Sequence, residues 1–157
     1  GFVMFKLMLN NDVFGTESYL PYLGFIITLG ACYRLAKFNI DTRQTDSFIG
    51  LPTPANALFI LCLPLILILT SSDLIRELLV NHGVLIAITL LSAFIMNAEI
   101  PLFALKIKKF NFKDNALQII FLLISVLLLA VFQFLGVALV IVFYVLLSVV
   151  RNAMAKK

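Results

Sequence analysis

Charge is scarce in this sequence: 13% of its 157 residues are Asp, Glu, Lys or Arg, against 62% that are hydrophobic. A water-soluble domain of this length covers its outside with polar side chains, and that supply is missing. The net charge of +4 does not point to nucleic acid, because the basic residues lie between apolar runs and form no amphipathic face interleaved with exposed aromatics. Cysteine is limited to Cys32 and Cys62. Both fall inside apolar runs, where a thiol acts as a small hydrophobe, so neither redox chemistry nor a metal site follows from them. The lone histidine, His82, falls between two apolar runs and reads as incidental. Internal repeats, low-complexity tracts and the period-two alternation of a membrane strand are all missing. The start, Gly1-Phe2-Val3-Met4, has neither an initiator Met nor the basic opening of a signal peptide, so the chain reads as a piece of a longer protein.

What fills the sequence is runs of Leu, Ile, Val and Phe with little charge between them. A membrane helix needs about 20 mostly apolar residues, with a range of about 17 to 25, and backbone in lipid must satisfy its own hydrogen bonds. These rules predict an all-α polytopic membrane protein forming one domain over residues 1–157, with five transmembrane helices near residues 18–38, 55–71, 83–105, 116–132 and 135–150. Residues 1–9 are too short to span and read as the end of a sixth. Pro21, Pro64 and Pro101 are expected to kink or start helices. The uncharged join at Gln133-Phe134 predicts a tight hairpin between the last two spans. A five-span zigzag puts ten of the twelve Lys and Arg residues on one side and Lys6 and Arg76 on the other. The excess marks the cytoplasmic side, which then holds the 39–54 and 106–114 loops and the C-terminus.

Topology leaves some polar residues unexplained. Arg34 lies about four residues inside the end of its span, roughly 6 Å deep. A snorkelling anchor and a member of a buried site are both open readings. Glu99 lies about six residues inside the expected 83–105 span, beside Asn97 and before Pro101. A carboxylate there is expensive unless paired or hydrated, so a Glu99–Arg34 pair, or a wet cavity holding both, is the economical expectation. Lys37 shares a helix face with Arg34, and two cations on one face suit a phosphate or carboxylate. Asn39 either caps the helix end or contacts a ligand. Gly50, Pro52, Thr53 and Pro54 start the next span with fixed φ angles beside a flexible glycine, shaping a pocket wall or only a helix start. Asp41 and Asp46 read as a solvated loop pair and not as metal ligands. The basic "KIKKFNFKD" loop is explained by positive-inside anchoring.

Three stretches, "GACYRLAKFNIDT", "SFIGLPTPANA" and "NAEIPLFALKIKKF", together resemble the CDP-alcohol phosphatidyltransferase family in its membrane-bound, serine-accepting branch. The resemblance runs over essentially the whole chain, with its specificity in Arg34 to Asn39 and Gly50 to Pro54. The family often has Arg where this chain has Lys37, and a small residue where it has Asn56. It implies phospholipid biosynthesis in a bacterial inner membrane: the hydroxyl of L-serine attacks the β-phosphorus of CDP-diacylglycerol and CMP leaves. The implied substrate-binding residues are Arg34, Lys37, Asn39, Gly50, Pro52, Pro54 and Glu99, and the implied assembly is a homodimer. The implied cofactor is a divalent metal, Mg or Mn, held by an aspartate signature (Asp-Gly, two residues, Ala-Arg, eight residues, Gly, three residues, Asp, three residues, Asp) that is not in this sequence. No catalytic or metal-binding residue is therefore expected in this chain, and these 157 residues alone are expected to be inactive. Alternatives are a family member with another acceptor alcohol and, from a different class, a transport subunit, although no inverted repeat or pair of mid-membrane broken helices favours the latter.

Overall fold

The computed structural model describes residues 1–10, 19–40, 49–102 and 116–155. Asp41, Asp46 and the 106–114 loop lie outside the described residues. The fold is helical: α1 (Phe2–Asn10), α2 (Ile26–Ile40), α3 (Thr53–Leu69), α4 (Asp73–Val80), α5 (His82–Asn97) and α6 (Ala116–Ala155). A 3-10 turn, Leu20–Phe25, leads into α2 with Pro21 in its first turn, where a missing N–H costs nothing. Among the described residues the only β pairing is an isolated bridge between Ile49 and Pro101.

The core is a seam of Met4, Leu7 and Met8 from α1, Ile27 from α2, Ile60, Leu63 and Ile66 from α3, Leu79 from α4 and Leu85 from α5. Two glycines let backbones approach. A Cβ on Gly24 would lie 2.6 Å from the Phe5 nitrogen, and one on Gly30 3.3 Å from Ala93 Cβ across the α2–α5 crossing. Outside the seam, every helix from α2 to α6 carries exposed large apolar side chains, among them Leu29, Leu58, Leu74, Phe94 and Leu122. Apolar surface on that scale points to lipid as the surrounding medium.

Two helical stretches are long and apolar enough to cross a membrane, Leu20–Ile40 (21 residues) and Leu117–Met154 (38 residues); a third is reached if α4 and α5, bent by 72° at their junction, count together. The 17 residues of α3 sit at the short limit for a span. Within α6 the chain does not run straight. Gln133 has φ 48° and ψ −117°, and the ring of Phe121 lies 5.8 Å from that of Phe143 and 5.5 Å from that of Tyr144. Along a straight helix those residues would be about 33 Å apart, so the two arms fold back on each other at the Gln133-Phe134 join. Gly136 completes the turn: a Cβ there would come within 2.3 Å of the Leu128 carbonyl oxygen.

One expected span is corrected. The 83–105 run is not one helix, because α5 ends at Asn97 and Ala98 turns extended (φ −65°, ψ 145°). Pro101 disfavours helix at the residue before it, and the carbonyls that would continue the ladder are taken by other elements. The 72–82 stretch expected as a loop contains α4.

Candidate functional site

The polar residues meet at one end of the bundle, where α2 and α5 finish, α3 begins and an extended strap, residues 98–102, follows α5. A helix end leaves its last carbonyls without helical partners, and at α5 those of Ile95 and Met96 are satisfied from outside. The Ala98 N–H returns to the Phe94 carbonyl at 2.8 Å, and the Leu51 N–H reaches the Ile95 carbonyl at 3.2 Å. Arg34, 8% exposed, donates from Nη1 to the Met96 carbonyl and, at 3.2 Å, to that of Ile49. A guanidinium at a helix C-terminus is favoured by the dipole as well as by the hydrogen bond. Arg34 therefore fastens α2, the approach to α3 and the end of α5 to one another.

Gly50 fills the angle between them. Its φ of +72° lies in the left-handed region, where glycine pays no steric penalty, and its N–H donates to the Ile100 carbonyl at 2.8 Å. A Cβ there would lie 2.6 Å from the Met96 oxygen, 2.8 Å from the Ala98 oxygen and 2.9 Å from Arg34 Nη1. Conformation and space both require glycine.

The expected Glu99–Arg34 pair does not form. With α5 ended two residues earlier, Glu99 is carried out onto the strap and is mostly exposed. Lys37, one turn beyond Arg34 on α2, is the cation at its level: Nζ lies 3.1 Å from Glu99 Oε1, with the side chains 28% and 66% exposed. Glu99 thus lies beyond the end of α5, on the strap.

Behind this rim lies a second polar group. Asn97 Nδ2 donates to the carbonyls of Gly30 (3.1 Å) and Ala93 (2.9 Å), while its buried Oδ1 has no hydrogen-bond partner. Deeper still, Ser92 Oγ donates to Asn56 Oδ1 at 2.5 Å, and Asn56 Nδ2 points at the Met96 sulfur at 3.7 Å. The strap is tied to α6 by Asn152, whose Nδ2 donates to the Pro101 carbonyl at 2.7 Å. Arg34, Lys37, Ile49, Met96, Asn97 and Ala98 enclose a pocket of about 10 Å³, room for about one water molecule. A phosphate or carboxylate would have to meet Lys37 from the exposed rim.

Of the residues singled out in the sequence, the structure brings Arg34, Lys37, Gly50 and Glu99 together. Asn39 is exposed in the last turn of α2. The Pro52 carbonyl accepts the Asn56 N–H at 3.0 Å and so opens α3, and Pro54 sits exposed in that helix's first turn, away from the polar pocket. Asn56, Ser92, Met96 and Asn152 carry no sequence pattern that marks them, whereas Asn97 is visible as a polar residue ending an apolar run. His82, far from this site, is buried with Nε2 3.1 Å from the Met8 carbonyl. Among the described residues no three His, Cys, Asp or Glu side chains are grouped to hold a metal ion. The chain matches no known family model and no curated protein.

Proposed function

We propose that this chain is part of a membrane-bound CDP-diacylglycerol–serine O-phosphatidyltransferase, and that the Arg34–Gly50–Met96 junction with the Lys37–Glu99 rim forms its acceptor-side wall. One observation supports this reading most. Described residues of the three stretches that carry the family resemblance, the third well separated in sequence from the first two, meet at one junction, with Gly50 seated between the Arg34 guanidinium and the carbonyls of Met96 and Ala98. In that reaction an oxygen–phosphorus bond forms to the serine hydroxyl oxygen, the pyrophosphate bond breaks, and CMP departs. The hydroxyl proton passes to a base that this chain does not supply.

The residues here divide the work. Arg34, its Nη1 engaged by two carbonyls, holds the wall in shape. Lys37 is the cation placed to receive a serine carboxylate or phosphate oxygen at the rim, exchanging its contact with Glu99 for the ligand. The positive-inside count puts this rim at the cytoplasmic face, and five crossings follow if α3, α5 and each arm of α6 cross separately. The transport reading finds no support in the site, since its polar groups collect at helix ends and not at mid-depth. Serine-dependent release of CMP from CDP-diacylglycerol by the longer protein tests the proposal.

A further inference from the structure

We infer that α4 is an interfacial helix, lying in the plane of the membrane surface at the end of the bundle opposite Arg34, with Leu74 and Leu78 set into the headgroup–acyl boundary of the lipid. The inference does not depend on the reaction proposed above. Helical positions step by about 100°, which divides the eight residues of α4 into three sectors. Leu79, with Ile75 beside it, faces the core seam. Leu74 and Leu78 form the adjoining sector and are 67% and 47% exposed. Asp73, Arg76 and Glu77 occupy the opposite side together with Val80 in the last turn, and all four are exposed. The apolar arc is thus wider than the protein covers, and Ile68 and Leu69 in the last turn of α3, just before the 70–72 linker, are exposed as well. A lipid boundary is the partner that accepts such an arc with charges on its far side.

The orientation is built in. The axis of α4 makes 72° with that of α5, so if α5 runs along the membrane normal α4 lies nearly flat. The break is capped on both sides. The Asn81 N–H donates to the Glu77 carbonyl at 3.2 Å at the end of α4, its Oδ1 accepts from the N–H groups of Gly83 (2.8 Å) and Val84 (3.3 Å) at the start of α5, and at the other end of α4 Arg76 Nη2 donates to the Thr70 carbonyl just past α3 at 3.2 Å. Making α4 the first half of a span would instead carry three charged side chains into hydrocarbon.

The chain has no tryptophan, so one introduced Trp reports its own depth. The 157-residue chain would be placed in phosphatidylcholine vesicles brominated either near the headgroup or near the acyl terminus, carrying Leu78→Trp, Leu74→Trp or, as the charged-face control, Glu77→Trp. The expected result is blue-shifted emission from both leucine replacements, lost mostly to the shallow bromine and little to the deep one, with Glu77→Trp emitting as in water. Stronger quenching of L78W and L74W by the deep bromine would make α4 part of a span and overturn the inference. So would water-like emission from both, or equal quenching of all three variants.

Discussion

Arg34 reaches across the α2–α5 crossing to donate to the carbonyl of Met96, so a buried cation answers a helix-end carbonyl and, among the described residues, no carboxylate. The charge is compensated by the C-terminal dipole of α5, and a guanidinium suits the task because it offers several donors in a rigid fork.

The first prediction concerns that fastening. Arg34→Ala leaves the Met96 and Ile49 carbonyls without their donor, at about 1–3 kcal/mol for each, and the protein should melt at clearly lower temperature in detergent. Arg34→Lys should recover part of the loss. A melting temperature unchanged in Arg34→Ala would show that the fastening adds nothing to stability.

Gly50→Ala should destabilise through two terms. The left-handed backbone costs a residue with a Cβ about 1–2 kcal/mol, and the Cβ, at 2.6 Å from the Met96 oxygen, must also push α5 or Arg34 aside. The same melt measures it, and a wild-type transition would remove Gly50 from the centre of the site.

Lys37 and Glu99 form a pair of the exposed kind, for which the coupling is about 0.2–1 kcal/mol and falls with salt. Lys37→Ala, Glu99→Ala and the double variant, melted at low and high ionic strength, should show that small coupling. On the proposed function, Lys37→Ala should nevertheless reduce serine-dependent CMP release several-fold with serine affinity weakened. A loss of activity matched by an equal loss of stability would make Lys37 structural only.

The turn at Gln133 is open to a covalent check. With Cys32 and Cys62 replaced by Ser, the double variant Phe121→Cys, Tyr144→Cys should form an intrachain disulfide on mild oxidation, because the parent rings lie 5.5 Å apart. No crosslink would mean that α6 runs on as one long helix, whose separation of about 35 Å between these two positions forbids the bond.

The helical character of the chain was legible because Leu, Ile, Val and Phe come in long uncharged runs, and the hairpin because nothing but Gln133 and Phe134 separates two of them. Gly50 was legible as a flexible point just before two fixed prolines, Pro52 and Pro54. The end of α5 was not: Ala98, Ile100, Pro101 and Leu102 extend the apolar run past Asn97, and hydropathy cannot register that Arg34 and Leu51 take the carbonyls of Met96 and Ile95. That single displacement moved Glu99 beyond the helix end and put it beside Lys37 in place of the expected Arg34. α4 was readable in principle, since Leu74, Ile75, Leu78 and Leu79 keep helical spacing behind Ser72 and Asp73. Its eight residues are short beside the apolar runs on either side.

The most direct test is CMP release from CDP-diacylglycerol in membranes containing the longer protein that carries this chain, with serine and with other alcohols as acceptors. The account predicts serine-dependent CMP release that collapses in Lys37→Ala while the variant stays folded, and no release from the 157-residue chain alone. Acceptor-independent or absent CMP release by the longer protein, or serine-dependent release by the 157 residues alone, would contradict it.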